Sequence, residues 1–224
     1  MKVYILYHND PTSKEYAETA ARSVVNVGME YVLVEGFTKP LDPNVAWNSI
    51  GLNRKIDRNN WNQAAQLCSA GHAKIWKMIA DSGEDGIVFE HDSIMLHNID
   101  DIDLPENTIT VLGYKVKDPK IYNHKQAGPP DSLRDLAGHE GAHAYALTAK
   151  TARSMLDEIE IIGVWSAVDN QFFLKDQRKS RIPMAMLDPT PAIGWLRKST
   201  IWGNSSEKNY QFIESFRNNY SGDK

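Results

Sequence analysis

The sequence of 224 residues has a single cysteine, Cys68, and lacks long apolar runs. One cysteine excludes an internal disulfide and is typical of proteins in a reducing compartment. No stretch approaches the length of a membrane span, and the apolar run that follows Met1 is too short for a signal peptide. We therefore expect a soluble cytoplasmic protein that associates with membranes at most peripherally.

The sequence also lacks an excess of charge of either sign. It has 25 basic and 29 acidic side chains, which give a net charge of -4. This balance argues against a nucleic-acid partner held by charge alone. Because 42% of the residues are hydrophobic, a chain of this length has enough apolar material for the core of one large domain.

Patterns near the start of the chain predict a βαβ unit. Residues 3–7 and 30–35 have the composition of buried strands, and a helix from Asp10 to Val27 lies between them. The spacing of Thr12 and Glu15 predicts a capping box at the start of this helix. A strand, a helix and a second strand in this order favour a parallel pair of strands.

Alternating strands and helices continue along the chain and predict an α/β fold. We expect one domain with a mixed, mainly parallel sheet and helices on both faces. Residues 36–60 and 115–141 have the composition of loops, and the second loop has the length of a lid that orders on ligand binding. The later predicted elements are a helix over 61–80, strands over 86–90, 94–96, 108–114 and 143–148, helices over 149–158 and 168–175, and a strand over 182–187.

One predicted strand ends directly in two acids. The apolar residues before Glu90 are typical of a central strand, and Glu90 and Asp92 flank His91. In open α/β sheets, ligands bind at the carboxyl ends of the strands. Two carboxylates at that edge can hold a divalent cation against a phosphate, although the same pattern also describes ordinary solvated acids in a turn.

Residues 139–143 match a different motif, His-Glu-x-x-His. On a helix, His139 and His143 would bind zinc and Glu140 would act as the general base of a metalloprotease, with Glu158 or Glu160 at a plausible distance for a third ligand. Glycine at position 141 is costly inside a helix, and residues 143–148 alternate like a strand. These features favour a strand here, and the zinc metalloprotease stays an alternative hypothesis.

Four segments of the sequence, in order, resemble the family-25 glycosyltransferases, which include lipooligosaccharide and collagen galactosyltransferases. The family's Glu-Asp-Asp is Glu90-His91-Asp92 here, so a histidine replaces the middle acid. A weaker fifth match lies at residues 197–201. The four matching segments are Cys68–Trp76, Ile87–Asp92, Gly141–Lys150 and Val168–Phe173.

The resemblance implies a GT-A fold, which is Rossmann-like, and an inverting transfer of a hexose such as galactose or glucose. It implies a UDP-sugar donor, Mn²⁺ or Mg²⁺, and a glycan or glycoconjugate acceptor. We expect residues 1–113 to form the half that binds the nucleotide sugar and residues 114–224 the half that binds the acceptor. A non-catalytic relative that only binds a nucleotide sugar is the other alternative, since His91 departs from the family motif.

Within this resemblance we assign a role to each candidate residue. Asp92 is the expected metal ligand, with Glu90 binding through water or orienting the ribose, and His91 is a nitrogen ligand if the middle position carries the metal. Asp169 is the candidate base that deprotonates the acceptor hydroxyl, although it also fits a helix cap. Residues Tyr7, His8, His72 and Glu90 are expected at the donor, and His143 and Tyr145 at the acceptor.

Overall fold

We analysed a computed structural model of the chain, which describes residues 1–52, 62–115 and 129–194. Residues 53–60 of the first predicted loop lie outside the described residues, and so do most of the predicted lid and the match at 197–201. The described strands are β1 (Lys2–Tyr7), β2 (Glu30–Glu35), β3 (Gly86–Glu90), β4 (Ser93–Met95), β5 (Ile109–Val111), β6 (Gly113–Lys115), β7 (Ser132–Leu136), β8 (Ala144–Leu147), β9 (Met184–Asp188) and β10 (Ala192–Gly194). The described helices are α1 (Pro11–Asn26), α2 (Pro43–Ser49), α3 (Gln63–Ser82), α4 (Ala149–Ile162) and a π-helical turn (Asp169–Phe173).

Seven of these strands form one mixed sheet in the order β2-β1-β3-β8-β5-β9-β7. Strands β2, β1, β3, β5 and β9 run in one direction, whereas β8 and β7 run in the opposite direction. The predicted α/β fold with a mixed, mainly parallel sheet is therefore confirmed. A smaller sheet of the described residues has the order β4-β10-β6.

Helices cover both faces of the large sheet, as predicted. Side chains alternate along β1 and β3, so each strand supplies apolar residues to both faces. Val3 and Phe89 pack in the core beneath α1, whereas Leu6 and Val88 pack in the core beneath α3 and α4. Glu90, at the end of β3, lies on the same face of the sheet as α3, and the candidate site is on this face.

The start of α1 differs from the prediction. The helix begins at Pro11, and the side chain of Asp10 accepts a hydrogen bond from the backbone N–H of Ser13 at 2.9 Å. Asp10 is therefore the N-cap residue, and the predicted capping box of Thr12 and Glu15 is wrong. Proline suits the first helical position because it lacks an N–H that would need a partner there, which agrees with a helix that begins at Pro11.

Three elements lie where the sequence predicted irregular structure. Helix α2 interrupts the predicted loop 36–60, and Trp47 anchors it with a fully buried side chain. Strand β7 lies inside the predicted loop 115–141 as an edge strand, and β10 follows the last predicted strand. No helix of the described residues combines the length and apolarity needed to cross a membrane.

Helix α3 lies close to β3 because residue 86 is glycine. A Cβ atom at this position would lie 2.7 Å from Ile79 Cγ1 and 3.0 Å from Tyr4 Cε2, inside van der Waals contact. The close approach holds α3 against the strand that ends in Glu90.

We expect Gly86→Ala to lower the free energy of unfolding by about 1–3 kcal/mol, the usual cost of overpacking. Urea unfolding measures this loss. In an Ile79→Ala background the two nearest overlapping atoms, both from Ile79, are gone, so the same substitution should cost at least about 1 kcal/mol less. An equal cost in the two backgrounds would contradict the account of this contact.

Candidate active site

Strand pairing brings the ends of β3 and β8 together. The two strands pair antiparallel, with Phe89 opposite Ala144, and the backbone N–H of Glu90 donates to the carbonyl of His143 at 2.8 Å. Because side chains alternate, Glu90, His143 and Tyr145 all lie on the face covered by α3. The sheet register therefore places residues from two distant segments in one cluster.

Helix α3 adds His72 to this cluster. Its ring is fully buried, with Nδ1 2.9 Å from the hydroxyl of Tyr145 and Nε2 3.3 Å from Glu90 Oε1. Trp76 lies one turn further along the helix, and its indole N–H donates to the same hydroxyl at 2.7 Å. A continuous chain of contacts thus fixes the orientation of the His72 ring against the carboxylate.

Glu90 is held between two histidines. Its second oxygen, Oε2, lies 3.0 Å from His143 Nδ1. Burial alone would raise the pKa of Glu90, but His143 and then His72 outweigh it and hold the pKa well below its ordinary value. Burial alone would lower the pKa of His143, but the carboxylates of Asp92 and Glu90 raise it to about 10. At neutral pH the cluster therefore contains an ionised carboxylate and an imidazolium.

Asp92 presents a carboxylate oxygen that has no hydrogen-bond partner in the part of the chain that the structure describes. Its Oδ1 is buried and lies 3.7 Å from His143 Nδ1, beyond hydrogen-bond distance, and His143 Nε2 is also buried without a partner among the described residues. Such groups are costly to bury unless a ligand meets them. Glu90, Asp92 and His143 place one ligand atom each within 4.8 Å of one another, and the oxygens of the two carboxylates are donors that fit a divalent cation.

His91 lies apart from this set. Its ring stacks on Tyr16 of α1 at 5.8 Å between centroids and meets the ring of His8 edge-on at 5.9 Å. Neither of the two groups of potential metal ligands among the described residues contains His91. The expected nitrogen ligand at position 91 is therefore corrected, because the chain turns this side chain toward α1; the nitrogen beside the acids belongs to His143.

Two of the residues predicted at the donor, Tyr7 and His8, lie at the end of β1. Leu6 pairs with Glu90, so Tyr7 and His8 follow at the same edge of the sheet. The hydroxyl of Tyr7 lies 3.4 Å from Glu35 Oε2, and burial together with that carboxylate raises the pKa of Tyr7. The ring of His8 has a buried Nδ1 with no partner among the described residues, and burial and His91 lower the pKa of His8.

Asp169 is the first residue of the π-helical turn. Its side chain accepts a hydrogen bond from the backbone N–H of Asn170 at 2.9 Å. Burial raises the pKa of Asp169, and the negative charge of Glu90 adds to this effect. A carboxylate with a raised pKa accepts a proton more readily, which is the property a general base requires.

Tyr145 is placed differently from its expected role. The side chain is fully buried, and its hydroxyl is shared between His72 and Trp76. It has no surface with which to contact an acceptor saccharide, so the expectation of an acceptor ligand is corrected to that of a residue that orients His72. The alternation of side chains along β8 could have predicted that Tyr145 is buried. Its contact with Trp76 could not be predicted, because that contact depends on how α3 packs.

The His-Glu-x-x-His segment is not helical. Gly141 has a φ angle of 86°, and His143 leads directly into β8. A Cβ atom at position 141 would overlap His143 Nε2, so glycine permits both the turn and the position of this ring. The backbone N–H of His139 donates to Phe173 O, and burial followed by the charge of His143 lowers the pKa of His139 to about 4. The metalloprotease hypothesis is wrong, because it requires both histidines on one helical face.

Comparisons with known proteins leave the family of this chain open. No protein-family model matches the chain, and no curated protein matches it. Among solved structures, the galactosyltransferase LgtC in complex with donor and acceptor sugar analogs has 12% identity and a TM-score of 0.47, over 96% of this chain and 94% of that chain. The glycosyltransferase GlyE of Streptococcus pneumoniae has 14% identity and a TM-score of 0.48, over 100% of this chain and 60% of that chain.

A third solved structure is a glycosyltransferase involved in the glycosylation of the major capsid of PBCV-1. It has 12% identity and a TM-score of 0.43, over 96% of this chain and 100% of that chain. At these levels of identity and structural similarity, the three likenesses establish neither a family nor an activity for this chain.

We expect Tyr145→Phe to destabilise the protein by about 1–3 kcal/mol, because the buried N–H of Trp76 would lose its acceptor. Urea unfolding measures the effect. Tyr31→Phe serves as a control, since Tyr31 is 42% exposed and its hydroxyl should contribute within about 0.5 kcal/mol. Equal losses in the two variants would show that the Tyr145 hydroxyl does not hold the cluster together.

Proposed function

We propose that the chain is a metal-dependent inverting glycosyltransferase with a GT-A fold, which moves a hexose, galactose or glucose, from a UDP-sugar to a glycan or glycoconjugate acceptor. One observation carries the proposal. Residues from three segments that resemble family-25 glycosyltransferases, and that are far apart in sequence, meet at the carboxyl end of β3. They are His72 from the first segment, Glu90 and Asp92 from the second, and His143 and Tyr145 from the third.

The position of this cluster agrees with donor binding. It lies at the edge of an α/β sheet where ligands generally bind, between the end of β1 and the segment that precedes β8. In the proposal, residues 1–113 supply the side that faces the nucleotide, including Tyr7 and His8. Residues 114–224 supply the side that faces the acceptor, including Asp169.

Asp92 and Glu90 would hold the divalent ion, Mn²⁺ or Mg²⁺, with His143 beside them. Such an ion, when bound, neutralises charge on the departing diphosphate. Two histidines keep Glu90 ionised, and Asp92 Oδ1 has no hydrogen-bond partner among the described residues, so both carboxylates can meet the ion. His143 Nε2, which also lacks a partner among the described residues, donates a hydrogen bond to an anionic oxygen of the donor.

Asp169 acts as the base in this proposal. It takes the proton of the acceptor hydroxyl while that oxygen attacks the sugar carbon on the face opposite the diphosphate, which inverts the configuration. Its raised pKa supports the role, because a carboxylate with an ordinary pKa would take the proton less readily. Asp169 belongs to the π-helical turn, whereas the proposed metal ligands belong to the end of β3, so the two roles fall to different elements.

We expect Asp92→Ala to reduce transfer at least about 100-fold, in line with the loss of other charge-stabilising groups, while the protein stays folded. The assay measures UDP release from UDP-galactose and UDP-glucose with Mn²⁺ and saccharide acceptors, and Mn²⁺ binding is followed by electron paramagnetic resonance. Asp101→Ala, an exposed acid on a loop, is the matched control. Full activity of Asp92→Ala would rule out the metal assignment. A wild-type protein that binds UDP with Mn²⁺ but transfers nothing would instead be a non-catalytic relative.

For Asp169→Asn we expect turnover to fall by about 10²–10⁴-fold, the usual contribution of a general base. Donor affinity should stay within about threefold of wild type, because in the proposal Asp169 faces the acceptor. Steady-state kinetics give kcat, and calorimetry gives the Kd for UDP. A parallel loss of turnover and UDP affinity would assign Asp169 to structure or to donor binding.

A further inference from the structure

The two oxygens of Glu90 face two different groups of potential metal ligands. Oε2 lies against His143, beside Asp92, in the group already described. Oε1 lies against His72. On this second side, Cys68, His72 and Glu90 also place one ligand atom each within 4.8 Å of one another.

The second group has a different chemistry from the first. It combines one sulfur, one imidazole nitrogen and one carboxylate oxygen, whereas the first combines two carboxylates and an imidazole. Thiolate and imidazole ligands select borderline-soft ions such as Zn²⁺, and carboxylates select hard ions such as Mg²⁺ and Mn²⁺. We propose that Cys68, His72 and Glu90 form a second cation site, specific for thiophilic divalent ions of the Zn²⁺ class, with water as the fourth ligand.

Helix geometry aims two of the three ligands at one point. Cys68 and His72 are four residues apart on α3, so their side chains lie on the same face one turn apart. Glu90 reaches the same point from the end of β3. No backbone rearrangement is needed to bring the three side chains together, because the helix and the strand already pack against each other at Gly86.

The separation of His72 and Glu90 suits a bound ion. His72 Nε2 and Glu90 Oε1 are 3.3 Å apart, and two ligands at zinc bond lengths in a tetrahedron are also about 3.3 Å apart. The other ring nitrogen of His72 is hydrogen-bonded to the Tyr145 hydroxyl. Zinc-bound histidines generally have such an outer partner, which fixes the orientation of the ring.

Of the three ligands, Glu90 is the most exposed to solvent. His72 is fully buried and Cys68 is 9% exposed, whereas the side chain of Glu90 is 23% exposed. An ion and its water ligand therefore enter from the side of Glu90. Binding replaces the S–H bond of Cys68 with a bond from sulfur to the metal and releases one proton to solvent.

The site shares Glu90 with the proposed glycosyltransferase site, so its test does not use activity. Cys68 is the sole cysteine of the chain, so any thiolate-to-cobalt charge transfer must come from it. Titration of the full chain with Co²⁺ should produce a near-ultraviolet charge-transfer band that saturates at one equivalent and is abolished by Zn²⁺. Asp92→Asn, which alters only the first group, should keep the band.

Cys68→Ser is the decisive variant. We expect it to lack the charge-transfer band and to bind Zn²⁺ at least about 100-fold more weakly than wild type. Loss of a residue that only orients a metal ligand weakens binding by up to about 100-fold, and loss of a direct ligand should cost at least as much. Circular dichroism establishes that the variant is folded. Absence of the band in wild type, or equal Zn²⁺ affinity in wild type and folded Cys68→Ser, would overturn the proposal. Neither result would bear on UDP and Mn²⁺ binding, which tests the proposed function separately.

Discussion

The organisation of the site depends on one partly buried carboxylate, that of Glu90. A buried charge is strongly unfavourable unless it is paired and hydrogen-bonded. His72 and His143 meet one oxygen each, and they come from a helix and a strand that lie far from Glu90 in sequence. The requirement to pair this one charge therefore fixes α3, β3 and β8 relative to one another.

The side chains packed around Glu90 hold the ring of His72 in one orientation. Trp76 and Tyr145 hold the ring of His72, and glycine at position 86 lets α3 lie close enough for the contact. Well-packed outer contacts of this kind keep ligand atoms in place before a substrate arrives. Within the described part of the chain, the same rigidity leaves Asp92 Oδ1 buried without a hydrogen-bond partner, at the edge of the sheet where ligands generally bind.

Much of the fold follows from the sequence, because strand alternation and helix periodicity depend on local spacing. The strand before Glu90 was predictable in this way, whereas the expectation that Glu90 and His72 lie at one site came from the family resemblance. The pairing of Glu90 with His143 was not, since it depends on the antiparallel register of β8 and on the turn at Gly141. The same turn disproves the metalloprotease helix, and a five-residue motif cannot reveal it. Helix α2 was missed because a short helix anchored by one buried tryptophan has little periodicity.

The central claim is that the cluster around Glu90 receives a nucleotide diphosphate together with a divalent ion. A thermal-shift screen with UDP, GDP, CMP and ADP, each with Mn²⁺ and with a chelator, tests it most directly. The account predicts a rise in melting temperature with UDP that requires Mn²⁺, because a ligand that binds only the folded state stabilises it. No shift with any nucleotide, at concentrations far above ordinary dissociation constants, would contradict it.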